Sequence, residues 1–269
     1  MRALIITSHP GPSLAVTALT TLLAAEAAPH GIGPVLTAPA LLAGKLSIGW
    51  SNDACDAPGD AAAGRTDKPL VRGEVSARAV WTAACVAAAA GLAMALVIGP
   101  LTGAIYAVAI AAGWAYNLWL KSSPASGLTY LLGFGLMPAY AASTLPGHPA
   151  PRWTVTIAAA LLGLGAHFAN VLPDLAADRV AGVGGLPQRV AARWGPAAVR
   201  AAALVLLLLA SVLLLIGATR RWVALPGLVA ALALAVASAR GTGRVPFLAA
   251  IGIAAVDIVL FVAGGEALA

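Results

Sequence analysis

Charge is what this sequence has least of. Its 269 residues include 16 Lys and Arg and 10 Asp and Glu, so charged side chains make up 10% of the chain against 61% that are apolar. A soluble domain carries about 25% charged residues. With a mean hydropathy of +0.92, the scarcity excludes such a domain and leaves a polytopic membrane protein. The net charge of +6 invites a nucleic-acid reading, but so few cations on so apolar a chain are topology signals on membrane loops, and no nucleic-acid partner is expected. Cysteine is nearly absent too. With only Cys55 and Cys85 a disulfide framework is excluded, and both are expected to be small core or boundary residues. A long apolar start is also missing, because Arg2 is followed by a short apolar stretch that His9-Pro10-Gly11 breaks. No cleavable signal peptide is expected, and the first apolar helix stays.

What is abundant is uninterrupted apolar sequence. A helix needs about 20 apolar residues to cross a bilayer, and runs near 12–28, 32–51, 78–98, 101–119, 127–145, 153–172, 197–218, 222–239 and 245–264 meet or approach that length. The expected fold is an all-α polytopic membrane bundle of nine transmembrane helices, one domain over residues 1–269. Connections at 52–77, 120–126, 173–196 and 240–244 carry charge, whereas those at 29–31, 99–100, 146–152 and 219–221 are short. Arg2, Arg65, Lys68, Arg72, Arg78, Lys121, Arg179, Arg189, Arg193, Arg200, Arg240 and Arg244 fall on the side of the charged connections, against Arg152, Arg220 and Arg221 opposite. Positive residues stay inside, so the N-terminus and the charged loops are expected in the cytoplasm and the C-terminus outside, in a bacterial-type cell membrane.

Against this background the stretch Asn52-Asp53-Ala54-Cys55-Asp56-Ala57-Pro58-Gly59-Asp60 is costly. On a helix Asp53, Asp56 and Asp60 lie at i, i+3 and i+7 and project from one face, where three like charges repel unless a counter-charge intervenes. A hard cation that prefers oxygen, such as Mg²⁺, suits that cluster. Asn170, Asp174 and Asp178 repeat the 4+4 spacing of Asn52, Asp56 and Asp60 at the end of another apolar run, and Arg179 follows. Two such faces point to a divided polyanion site in which metals are shared between carboxylates and ligand phosphates.

Other residues cluster around these ends. Lys45 lies two helical turns before Asn52, roughly 10 Å into the membrane, where a Lys costs about 2.5–3.5 kcal/mol. It either snorkels to the boundary or faces a polar interior, and the nearby carboxylates favour the interior. Gly64 to Gly73 holds Arg65, Lys68 and Arg72 and can wrap a phosphate, or serve as an ordinary cytoplasmic loop. Tyr116, Asn117 and Lys121 add a phenol and a cation at the same depth. Trp50, Trp114, Tyr116, Trp119 and Phe168, with His167, could line a pocket that stabilises a carbocation, or form an interfacial aromatic belt and, for His167, a core hydrogen bond. Asp257, within the last run, either pairs with a neighbouring helix or faces a cavity.

Asn52-Asp53-x-x-Asp56-x-x-x-Asp60 resembles the NDxxDxxxD motif of the UbiA superfamily of intramembrane prenyltransferases, and Asp174-x-x-x-Asp178 its second, DxxxD motif. The likeness covers nearly the whole chain and includes the Thr66-Asp67-Lys68-Pro69 loop and the basic residue seven before the Asn, here Lys45. It implies a bundle of nine helices around a central cavity with a cytoplasmic Asp-rich active site. It also implies Mg²⁺, as two ions held with the diphosphate of an isoprenyl donor, a prenyl chain in a tunnel open to membrane lipid, and transfer to a lipid-soluble, aromatic acceptor. Carried over, Asn52, Asp53, Asp56, Asp60, Asp174 and Asp178 bind metal, and Lys68, Arg72, Lys121 and Arg179 contact diphosphate. Asp56, Asp174, Lys45 and Tyr116 are the expected catalytic residues, while Trp50, His167 and Asn170 line the prenyl and acceptor pocket. This sequence departs from the pattern with Lys for Arg at 45, with Ala61 where Arg often follows, and with Tyr116 five rather than four residues before Lys121.

Rival readings fare less well. A CDP-alcohol phosphotransferase needs an Asp-Gly-x-x-Ala-Arg cluster that does not occur. A cation transporter would place its acids near the midplane on broken helices rather than at one surface. The closest alternative lies inside the superfamily, where a terpene cyclase uses the same metal site on a prenyl diphosphate without an acceptor.

Overall fold

Runs of Ala, Leu and Val carry no side chain that competes for backbone hydrogen bonds, and in lipid each N–H must be satisfied within its own segment. A computed structural model describes residues 2–8, 14, 17–18, 20–21, 32–62, 64–180, 182–241, 245–263 and 268, and among them there is helix and turn but no strand. In chain order the helices are α1 (Arg2–Ile6), α2 (Ile32–Ala62), α3 (Ala77–Ile98), α4 (Pro100–Ala115), α5 (Ser126–Ser143), α6 (Trp153–Val171), α7 (Leu175–Val180), α8 (Leu186–Trp194), α9 (Pro196–Gly217), α10 (Arg221–Arg240) and α11 (Val245–Ala263). A π turn over Tyr116–Leu120 prolongs α4. Ala77–Ile98, Pro100–Leu120, Trp153–Val171 and Pro196–Gly217 are long and apolar enough to cross a membrane.

All but the first of the expected apolar runs are seen as helices, and the first, near 12–28, lies largely outside the described residues. Gly99-Pro100 separates α3 from α4, because Pro at the first helical position needs no N–H partner but cannot continue the helix before it. Two boundaries differ from expectation. The second helix does not stop at residue 51; its hydrogen bonding runs on through the acid motif to Ala62, with Pro58 accommodated inside. The charged connection at 173–196 is itself partly helical, as α7 and α8.

The chain divides into two compact units, Met1–Leu118 with Tyr140–Pro149, and Trp119–Ala139 with Ala150–Ala269. In the first, α2, α3 and α4 pack against one another around buried Ala95, Tyr106 and Tyr140. Small residues permit the approach. The Tyr106 hydroxyl occupies the space a Cβ at Gly91 would need, and the Ala40 carbonyl lies 2.9 Å from that position. In the second unit α6, α9, α10 and α11 pack together over a core that includes Phe168, Val199, Leu207 and Ile253. There Gly165 admits Leu207, whose Cγ would lie 2.8 Å from a Cβ, the small-residue contact that lets membrane helices touch in the absence of a hydrophobic drive between them. Asp257 is 1% exposed and accepts a hydrogen bond from Ser211 on α9, so of its two expected fates it takes the pairing with a neighbouring helix. Neither Cys55 nor Cys85 is in a disulfide, and Cys85 is exposed.

Candidate functional site

Because α2 is continuous, Asp53, Asp56 and Asp60 do share one helical face. Asp53 is 3% exposed, and the Lys68 ammonium meets its Oδ1 at 2.9 Å, so the loop that follows the motif supplies a counter-charge. Asp56 and Asp60 stay partly exposed. Burial raises the Asp60 carboxyl above the ordinary range, Lys68 opposes the shift and Asp56 adds to it. The other two cations of that loop bind within it. Arg65 grips both Asp67 oxygens at 3.0 and 3.2 Å. Arg72 grips both Glu74 oxygens at 2.6 and 3.1 Å and donates to the Thr66 carbonyl at 2.8 Å. Gly73, at a φ of +72°, makes the turn that brings Glu74 back onto Arg72.

Beside the motif runs a polar seam between α2 and the end of α4. Trp114 Nε1 donates to Ser47 Oγ at 3.0 Å, and Asn117 Nδ2 donates to the Ile48 carbonyl at 2.9 Å and to Ser51 Oγ at 2.8 Å. Asn52 Nδ2 in turn donates to Asn117 Oδ1 at 3.3 Å. Asn117 sits in the π turn, as does Tyr116. A π turn takes one residue more than an α turn, which accounts for the extra residue between Tyr116 and Lys121. Lys45 is half-buried within α2, and Trp50 donates its indole N–H to the Leu4 carbonyl at 2.7 Å. Trp119 is 73% exposed.

In the second unit the motif has a different form. Asn170 is exposed at the end of α6; Leu172 and Asp174 turn back in tight i→i−3 bonds to Ala169 and Val171, with Pro173 between them; Asp178 lies on α7. The 4+4 spacing therefore does not lie on one continuous helix as in the first motif, because Pro173 cannot donate to the turn before it. Asp174 and Arg179 are exposed. Gln188 Nε2 donates to Asp178 Oδ2 at 2.7 Å. The first turn of α8, which carries Gln188, is held in place by Ser126, whose Oγ accepts from Leu186 N at 2.8 Å and lies 3.0 Å from His167 Nε2. A carbonyl neighbour explains Gly185, since a Cβ there would come within 2.7 Å of the Lys121 oxygen. His167 stacks on Tyr130 with centroids 4.4 Å apart, and Phe168 is in the core.

Each unit thus brings its own carboxylates to a helix end, and among the described residues no three His, Cys, Asp or Glu side chains gather into one group. The donor chemistry nonetheless fits Mg²⁺: every candidate atom in both motifs is a hard oxygen, and Asp60, its charge opposed by burial and by Asp56, is a carboxylate that a cation would stabilise. Sequence reasoning missed Ser51, Ser126 and Gln188 and read Asn117 only as a possible interfacial anchor. The available signal was polar residues inside or beside apolar runs, which have few other reasons to be there.

Apolar helices that carry acid-rich ends define an integral membrane protein with oxygen-donor sites. The chain belongs to the UbiA prenyltransferase family, whose sequence profile matches residues 13–259. Its fold is that of solved UbiA homologues. One from Archaeoglobus fulgidus bound to DMAPP and Mg²⁺ is 18% identical, with 96% of this chain and 98% of that one covered and a TM-score of 0.72. The same homologue bound to GPP and Mg²⁺ gives 17% identity, 97% and 99% coverage and a TM-score of 0.73. An apo UbiA homologue from Aeropyrum pernix K1 is 20% identical, with 91% and 98% covered and a TM-score of 0.69. No curated protein sequence matches the chain.

Proposed function

We propose that this protein is a Mg²⁺-dependent intramembrane prenyltransferase that moves an isoprenyl group from a prenyl diphosphate to a lipid-soluble, aromatic acceptor, and that residues 1–269 act as one catalytic domain. The observation that carries this reading is the first motif on an unbroken helix, three carboxylates and Asn52 with Lys68 entering at 2.9 Å. Family membership and the prenyl diphosphate and Mg²⁺ bound by the A. fulgidus homologue support it.

In the proposed reaction the allylic C–O bond breaks with its electron pair leaving on diphosphate, and the acceptor supplies the pair for the new bond and loses a proton. Asn52, Asp53, Asp56 and Asp60 in the first unit, and Asp174 and Asp178 in the second, would hold Mg²⁺ ions, which when bound supply Lewis-acid neutralisation of the leaving group. Lys68, Lys121 and Arg179 would supply cations to the diphosphate as its charge develops. Arg72 belongs with them only if it leaves Glu74. Lys45 and Tyr116 are the polar groups proposed to orient an acceptor, with Trp50 and Asn170 beside the prenyl chain. His167 and Asp257 have structural partners in Ser126 and Ser211, so the preference for transfer over cyclisation rests on Lys45 and Tyr116.

The test is product analysis. The purified protein is incubated with Mg²⁺ and a panel of prenyl diphosphates, with and without lipid extract. A prenylated product that needs the extract and disappears in EDTA is expected. A cyclic hydrocarbon or alcohol formed from farnesyl or geranylgeranyl diphosphate alone would overturn transfer in favour of a terpene cyclase.

A further inference from the structure

An asparagine at a cation site is useful only if its oxygen, not its nitrogen, is the end on offer, and Asn52 has the means of fixing which it is. The Ile48 carbonyl has no hydrogen, so the Asn117 atom 2.9 Å from it is the NH₂ group. Ser51 Oγ donates to the same carbonyl at 3.0 Å, which leaves its lone pairs to accept the second Asn117 hydrogen at 2.8 Å. Both donors of Asn117 are thereby used, and its Oδ1 must face Asn52. An oxygen there can only accept, so the Asn52 atom 3.3 Å away is its NH₂. The Asn52 oxygen is then the end that takes no part in the seam. Asn117 is 8% exposed and Ser51 fully buried, so water does not compete for these bonds.

We propose that Asn117 is a positioning residue that orients the Asn52 amide so that its oxygen is the atom presented to the cation of the first acid motif. The proposal rests on the reading of Asn52 as a metal ligand. Asn117 sits in the π turn at Tyr116–Leu120, and π turns are frequent at functional sites.

The test reads metal binding directly, with Mn²⁺ as the probe and the electron paramagnetic resonance signal of free Mn²⁺ as the measure, on the full-length protein in detergent. Asn52→Ala and Asn117→Leu are each expected to weaken Mn²⁺ binding by about tenfold, and the double variant by no more than the weaker-binding single, because one removes the oxygen and the other only its orientation. In an Asn52→Asp background, where both ends are oxygen, Asn117→Leu is expected to cost little, a rescue that a merely structural role for Asn117 would not allow. Unchanged Mn²⁺ affinity in Asn117→Leu, additive losses, or failure of the Asp rescue would overturn the proposal. Should Asn117→Leu not fold, Ser51→Ala removes one of its anchors and must weaken Mn²⁺ binding by a smaller factor; no change there overturns the proposal equally. Mn²⁺ binding with this dependence but no prenylated product would leave the positioning role standing and remove the transferase reading. No Mn²⁺ binding by the unsubstituted protein would remove the ligand premise and the positioning role with it.

Discussion

A carboxylate at the end of an apolar helix has to be compensated, and the two motifs do this with different partners. Asp53 has the Lys68 ammonium, Asp178 the Gln188 amide, and Asp174 the solvent. Asp56 and Asp174 are the members whose charge the proposed metal would use. Replacing either by Asn keeps the shape and removes the charge, so Asp56→Asn and Asp174→Asn should each lower turnover by roughly 10²-fold or more while melting temperature and elution volume stay unchanged. Initial rates at saturating Mg²⁺ check this, and a rate within tenfold of the unsubstituted protein would contradict it. Lys68 was legible as a loop cation beside acid. That Arg72 turns to Glu74 was not, because the pair depends on the left-handed turn at Gly73.

At the scale of the helix, hydropathy marks where lipid ends and not where hydrogen bonding ends. α2 outlasts its apolar run by eleven residues to Ala62, which keeps three Asp side chains on one face, whereas Pro173 breaks the corresponding stretch after α6. Both prolines inside α2 are tolerated, so the presence of a proline in the sequence did not by itself tell the two apart. Helix packing also gives glycine different duties. Gly91 has no room for a methyl group beside Tyr106 and the Ala40 carbonyl, while nothing lies within 4 Å of a Cβ at Gly59. Gly91→Ala should therefore destabilise by about 1–3 kcal/mol through overpacking. Gly59→Ala should stabilise by up to about 1 kcal/mol through helix propensity. Thermal melts in detergent with opposite signs are the expected result, and equal shifts would refute the packing account.

Across the whole molecule the arrangement of charge sets the expected orientation. With twelve basic residues on the side of the N-terminus and the charged connections and three on the other, the loop after the first acid motif is expected in the cytoplasm. In a background with Cys55 and Cys85 replaced by Ala, a cysteine at position 66 should be labelled by an impermeant maleimide only in inverted vesicles, and one at position 148 only in intact cells. The opposite pattern would reverse the orientation. Neither of the thiols to be removed is in a disulfide, so the background itself should fold.

Composition and spacing were enough to determine that this chain is helical, that it lives in a membrane and that the acids of its two motifs follow apolar runs, because a lipid solvent permits few backbone structures and penalises each misplaced charge. Family motifs added the chemistry those acids serve. Only the tertiary structure decided that Asp257 bonds Ser211, that His167 meets Ser126, that Lys68 rather than Arg65 or Arg72 reaches Asp53, and that Asn117 holds the Asn52 amide. These pairings join residues from 15 to 65 positions apart, and short-range periodicity carries no information about which buried donor will find which acceptor once the helices have packed.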